Sequence, residues 1–302
     1  MKRILKWIGI VLGVLVGLIV LAAIVVYVVS EIQVNKRFTA PEVSVTASTD
    51  PAVIERGRHL ATAVSVCIDC HNSDLGGQVL IDDPALGRIV AVNLTKGKNG
   101  KGNEFSDADY ARVLRYGVLP DGLSVKVMPA EDYTHFSDED LTAVISYVRS
   151  LPPVDNDLPK TQLRMMGRIL MVMGQLPVLI APRIDQAMPH VASIEPGVNL
   201  EYGQYLANVA GCTGCHGPGL SGGPIPGAPP DFPNAANLTP SGELVGWDEE
   251  DFFNLIRTGT KPSGSKLAEE MPYKYYTNMT DDELKAIWMF VKSVPAREAG
   301  TR

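Results

Sequence analysis

Cys67-Ile68-Asp69-Cys70-His71 and Cys212-Thr213-Gly214-Cys215-His216 repeat one pattern, Cys-x-x-Cys-His, and together use all four cysteines of this 302-residue chain. The spacing carries a chemical meaning. Two thiols so placed can add across the two vinyl groups of one porphyrin, while the adjoining imidazole ligates its iron from one side. This is the attachment pattern of c-type haem. Two copies imply two covalent haems, and electron transfer becomes the leading expectation. A thioredoxin-like thiol pair or half of a four-cysteine zinc site also uses Cys-x-x-Cys. Neither requires a histidine after the second cysteine, and a zinc site would have to unite pairs separated by 141 residues.

A second iron ligand is expected downstream. Met128-Pro129 lies 57 residues after His71, and Met271-Pro272 lies 55 residues after His216. A thioether on the far side of the ring completes six-coordinate iron and favours the ferrous state. The alternative for any of the ten methionines is core filling. Met188-Pro189 shares the dipeptide but precedes the second haem motif and has no partner in the first half. Met128 and Met271 occupy matching places, each before a proline that stiffens the loop. The axial pairs are therefore His71 with Met128 and His216 with Met271. His59 and His135 have no matching histidines in the second half and read as surface or supporting residues.

The correspondence extends well beyond these motifs. Asn93-Leu94-Thr95 recurs as Asn237-Leu238-Thr239, Phe105-Ser106-Asp107 as Trp247-Asp248-Glu249, and Ser137-Asp138-Glu139-Asp140-Leu141 as Thr280-Asp281-Asp282-Glu283-Leu284, at offsets of 142 to 145 residues. This is a tandem duplication and not a solenoid. Each copy reads as helices joined by loops. Asp50-Pro51 opens a helix with an acidic cap and proline at its first position. Ser106 and Asp248 cap middle helices that stop at Gly117 and Gly259. Capping boxes, Ser137 with Asp140 and Thr280 with Glu283, open the last helices. Their apolar positions 141, 144, 145, 148 and 284, 287, 288, 291 form one helical face in each.

This arrangement resembles class I cytochrome c, in which the first and last helices cross where a glycine meets an aromatic ring. The resemblance implies that Gly57 meets Tyr147 and Gly203 meets Phe290. Gly57 lies ten residues before Cys67 and Gly203 nine before Cys212, so copy one is expected to absorb one residue near Val64-Ser65-Val66. A fuller resemblance, over about two thirds of the chain, is to the membrane-bound cytochrome c subunits of bacterial alcohol, gluconate and aldehyde dehydrogenases. It implies a periplasmic dehydrogenase as electron donor and quinone or a terminal oxidase as acceptor, with no catalytic site in the chain itself. Members of that group often carry a third haem, for which this chain has no motif. Arg115 and Arg257 occupy matching places where a guanidinium could pair with a haem propionate; a solvated arginine at a helix C-terminus is the alternative. Asn93, Thr95, Asn237 and Thr239 are propionate candidates too, with turn formation as their other reading.

Ile8 to Val29 form 22 consecutive uncharged residues, long enough to cross a bilayer. Lys2, Arg3 and Lys6 precede them and place that end in the cytoplasm. A cleavable signal has a shorter apolar core, so the segment reads as a retained single-pass anchor with the haem domains on the periplasmic side. Gly9, Gly13 and Gly17 are either ordinary membrane glycines or a close-approach face for another membrane helix. The net charge of −7 argues against nucleic acid as a partner and suits basic patches on a redox protein. The whole is expected to be all-α: an anchor at 1–30, a tether at 31–49, class I domains at 50–153 and 197–302, and an interdomain segment at 154–196. That segment contains an apolar, methionine-rich stretch read first as a helix packing both domains together, then as a partner-docking patch, then as a membrane-surface contact. Two functions compete with dehydrogenase relay: a docking subunit of a larger respiratory or photosynthetic complex, and a dihaem peroxidase in which one iron lacks its sixth ligand.

Overall fold

The computed structural model describes residues 2–229 and 231–301. Met1, where the expected anchor begins, and Arg302, where the second domain ends, lie outside the described residues. Helix α1, Lys2–Val34, has 33 residues and so extends roughly 50 Å at 1.5 Å per residue. It is long and apolar enough to cross a bilayer, and none of its apolar window is buried among the described residues. Its far end is fixed to the first copy. Val34 packs with Leu163, Met171 and Val178, the Phe38 amide donates to the Gly122 carbonyl at 2.8 Å, and Arg37 donates to the Asp121 carbonyl.

Copy one runs through α2 (Pro51–His59), α3 (Cys67–His71), strands β1 (Gln78–Asp83) and β2 (Gly87–Ala91), then α4 (Asp107–Tyr116), α5 (Ala130–Tyr133) and α6 (Asp138–Ser150). The interdomain segment adds β3 (Gln162–Leu163) and α7 (Met165–Val172). Copy two repeats the helices alone: α8 (Leu200–Val209), α9 (Cys212–His216), α10 (Glu249–Thr258), α11 (Tyr273–Tyr276) and α12 (Asp281–Ser293). The caps explain the boundaries. Asp50 accepts from the Ala52 amide, capping boxes start α4, α10 and α12, and left-handed Gly117 and Gly259 end α4 and α10.

The all-α expectation holds only roughly, since the chain is 45% helix and 8% strand. β1, β2 and β3 form an antiparallel sheet in that order, with a bulge between Val79 and Ile81. The hairpin turns at Asp83-Pro84-Ala85-Leu86, where the Asp83 carboxylate accepts from the Ala85 and Leu86 amides at 2.7 Å. Helix α7 differs from its first reading as well. It packs on α1 and on this sheet, not between the two copies.

In both copies the first and last helices cross at glycine. A Cβ on Gly57 would fall inside the Ala143 carbonyl and against Tyr147; a Cβ on Gly203 would do the same at Ala286 and Phe290. The extra residue of copy one is taken up as a single π-helical turn, Leu60–Val64, closed by the Ser65 amide on the Leu60 carbonyl at 2.7 Å. A π-turn inserts one residue without ending the helix, so the insertion lies just upstream of the expected place.

The two copies share one continuous core that includes Leu60, Leu141, Leu206 and Leu284. Where they meet, each sends a side chain two positions past its crossing glycine to the acid in the first turn of the other copy's last helix. Glu283 completes its capping box, whereas Asp140 does not cap Ser137 and instead faces Arg56 and Tyr205. His59 Nε2 lies 2.8 Å from Glu283, and the Tyr205 hydroxyl donates to Asp140 at 2.7 Å. Arg56 lies between the two acids, 2.8 Å from Asp140 and 3.5 Å from Glu283. Burial alone would raise the Glu283 carboxyl, but the hydrogen bond and charge of His59, the Thr280 amide and Arg56 outweigh it and hold the group below its ordinary value. A depressed carboxyl stabilises the fold above its unfolded pKa, about 4.3, and loses that contribution as pH falls through the folded value. Glu283→Gln preserves the capping pattern and removes the charge. Its urea midpoint should fall less steeply than wild type below about pH 4; equal slopes would remove Glu283 from the acid response.

Candidate haem-binding site

The two Cys-x-x-Cys-His segments are one-turn helices set between left-handed residues. Val66 (φ 49°) and Gly211 (φ 75°) precede the first cysteine, Asn72 (φ 69°) and Gly217 (φ 82°) follow the histidine, and Leu75 and Leu220 (both φ 55°) turn the chain again. The turn is locked to the Asn-Leu-Thr segment: the Leu94 amide donates to Leu75, and the Leu238 amide to Leu220, at 2.9 and 2.8 Å. The residue just before that segment then orients the histidine. His71 Nδ1 lies 2.8 Å from the Val92 carbonyl, and His216 Nδ1 lies 2.7 Å from the Ala236 carbonyl. A carbonyl accepts only from an N–H, so the proton is assigned to Nδ1 and the lone pair to Nε2, the form in which imidazole ligates a metal. Burial also lowers the His71 pKa, against the Val92 bond, which favours the neutral ring.

Opposite lies the Met-Pro turn. In copy two, Cys212, His216 and Met271 line one cavity, walled by apolar residues including Phe252, Ile256 and Ile287. A thiol, an imidazole and a thioether in one apolar cavity form a donor set that fits haem c. In copy one Cys67 and Met128 pack at the edge of the shared core. Among the described residues no cluster of three or more His, Cys, Asp or Glu could hold a metal ion, so the four-cysteine zinc arrangement is not formed.

Two tyrosines escaped sequence reasoning. Each stands five positions after its methionine, on the one-turn helix that follows Met-Pro. The Tyr133 hydroxyl donates to the Ser65 carbonyl at 2.8 Å, and the Tyr276 hydroxyl to the Ala210 carbonyl at 2.5 Å. Both carbonyls lie two residues before the first cysteine of a motif, so each bond joins the methionine side of a site to its cysteine side. The matching offset in both copies was the available signal. Tyr276→Phe should lower stability by about 1 kcal/mol and speed the displacement of Met271 by added imidazole several-fold, read as an optical shift of the oxidised protein. An unchanged displacement rate would make the bond merely structural.

The propionate candidates also make bonds within the protein. Asn93 accepts from the Thr95 amide and hydroxyl at 2.9 and 2.8 Å and donates to the Val154 carbonyl at 2.6 Å. Asn237 repeats this with Thr239 and the Arg297 carbonyl. Both asparagines thus clamp the chain that leaves the last helix of their copy. Arg115 pairs with Asp138 at 2.5 Å, and Arg257 with Asp281 at 2.8 Å, tying each middle helix to the start of the last one. Neither Asn237 nor Arg257 lines the copy-two cavity, whereas Lys261 does, paired with Glu243 at 2.9 Å.

The sites are packed against each other crosswise. Asp132, four residues after Met128, brings its carboxylate oxygens to 3.1 Å from where a Cβ would stand on Gly211 and Gly214. Reciprocally, Tyr275, four residues after Met271, donates its hydroxyl to Asp69 at 2.6 Å. The methionine turn of each copy therefore rests on the Cys-x-x-Cys-His helix of the other. Burial, reinforced by Glu131, raises the Asp132 carboxyl to about 7.

These features define a class. Residues 52–148 match the family described as cytochrome c oxidase, cbb3-type, subunit III, and residues 200–295 match the family described as cytochrome c. The chain carries two cytochrome c domains, and such domains imply covalently bound haem c. It is homologous to the cytochrome c subunits of fructose, alcohol and gluconate dehydrogenases. It is 30% identical to the fructose dehydrogenase cytochrome subunit of Gluconobacter japonicus over 83% of its own length and 54% of that protein. Identity is 28% to the cytochrome c subunit of alcohol dehydrogenase (quinone) of Gluconobacter oxydans, covering 83% of this chain and 56% of the relative. It is also 28% to the gluconate 2-dehydrogenase cytochrome c subunit of Pantoea cypripedii, covering 82% and 61%. The chain thus spans little more than half the length of these relatives.

Proposed function

We propose that this chain is an electron relay with one haem in each copy, taking single electrons from a dehydrogenase on the outer face of the plasma membrane and passing them to quinone or a terminal oxidase. The observation that carries this reading is the crosswise packing: the methionine turn of each site rests directly on the cysteine helix of the other. Bound haem supplies a one-electron ferric/ferrous couple. Cys67, Cys70, Cys212 and Cys215 would hold it covalently, and His71 with Met128 and His216 with Met271 would supply the iron ligands. Thioether ligands and the apolar wall would raise its potential, and Met128 and Met271 would deny its iron to oxygen and peroxide. Helix α1 anchors the chain, with the two domains, 50–153 and 197–302, outside the membrane. The kinds of dehydrogenase among the relatives point to a substrate among alcohols, sugars and sugar acids.

A mild-detergent pull-down of the tagged chain from its native membrane, followed by mass spectrometry, tests the partner. A co-purifying dehydrogenase subunit is expected. Oxidase or other respiratory subunits in its place would make the chain an internal relay of that complex.

A further inference from the structure

Helix α7 carries its apolar side outward. Gly167 and Met171 face the protein: a Cβ on Gly167 would enter the Leu86 carbonyl, and Met171 is buried with Ile89 and Leu163. The opposite side presents Met165, Met166 and Met173, which are 42%, 46% and 62% exposed. Positions 165, 169 and 173 are spaced by four, so Ile169 belongs to the same stripe. The single charged residue of α7, Arg168, is turned away from this stripe. It pairs with Glu31 at 2.7 Å, donates to Ser30 Oγ at 2.7 Å, and stacks its guanidinium 4.7 Å from the Tyr27 ring centre.

That attachment fixes the height of the helix. Tyr27, Ser30 and Glu31 mark the end of the uncharged span 8–29, where a membrane helix passes from hydrocarbon to headgroups and where tyrosine is favoured. A helix pinned there would lie level with the bilayer surface, with its uncharged stripe turned outward from the protein. We propose that α7 is an interfacial helix, with Met165, Met166, Ile169 and Met173 lying in the headgroup–acyl boundary of the outer leaflet. Flexible methionines suit a disordered interface, and short apolar faces of this kind enter about 5–10 Å. Together α1 and α7 hold the first domain at two points, which sets its tilt against the membrane. This rests on the anchoring reading above.

The test uses the full haem-loaded chain, one copy per nanodisc, in phosphatidylethanolamine and phosphatidylglycerol doped with phosphatidylcholine that carries a diazirine near the glycerol end of an acyl chain. After illumination, peptide mass spectrometry should find lipid adducts on α1 and on Met165–Val172, the latter at least tenfold above the α12 peptide bearing exposed Met289. Changing both Met166→Glu and Met173→Glu should cut the α7 adducts several-fold and leave those on α1 unchanged. Adducts on α1 alone would overturn the interfacial helix while leaving the anchor standing, and would leave the stripe to a protein partner. Adducts on neither would overturn the anchor and the proposal together.

Discussion

Replacing Met271 with alanine is expected to open one of two sites and leave the other closed. Met271 and His216 line the same cavity, and removing the thioether leaves the far side of that iron to water or an added ligand. The reduced variant should bind one carbon monoxide per chain, whereas the reduced parent should bind none. Loss of the sulfur ligand should also lower one midpoint potential by on the order of 0.1–0.3 V, a fraction of the about 0.8 V that axial ligands command. Met128→Ala should do the same to the other site. Carbon monoxide binding by the unaltered chain would favour the peroxidase reading for whichever site took it up.

The second large effect concerns folding. Gly203 and Gly57 lie where the first and last helices of each copy touch, and any Cβ there would enter a backbone carbonyl of the facing helix. A side chain could rotate aside; a carbonyl within a helix cannot move without breaking its own hydrogen bond. Overpacking ordinarily costs about 1–3 kcal/mol, and this backbone clash belongs at or above the top of that range. Gly203→Ala should lower the urea midpoint by about 3 kcal/mol of stability, a large share of the roughly 5–15 kcal/mol that keeps a domain folded. Because the crossing sets the wall of the cavity, haem incorporation should fall with it. Gly57→Ala should behave alike, and wild-type stability in both would mean that the crossings open by more than the structure allows.

What was legible in the sequence is what a short stretch constrains locally. Cys-x-x-Cys-His, Met-Pro, the capping boxes and the terminating glycines each owe their identity to neighbours within a few positions. The crossing glycines were reachable through the family resemblance, because close helix contact admits no other residue. The extra residue before Cys67 was evident by counting, but its location was not, since a π-turn leaves helical periodicity almost intact. The hairpin was overlooked for a similar reason: Gln78–Asp83 and Gly87–Ala91 are short, and alternation over so few positions is weak beside the surrounding helices. Long-range contacts left no linear trace. His59 and Glu283 are 224 positions apart, and nothing near either names its partner. The matching places of Arg115 and Arg257 were legible, but their acid partners, Asp138 and Asp281, were not, since they lie more than twenty positions away.

The central claim is that electrons pass between the two sites within one chain, across the contact made by Asp132 with the second motif and Tyr275 with the first. Flash reduction of the purified protein by less than one electron per chain, followed at wavelengths where the two haems differ, tests it directly. The account predicts an equilibration phase whose rate is unchanged when the protein is diluted tenfold. A phase that slows in proportion to dilution would show electrons moving only between chains and would contradict it.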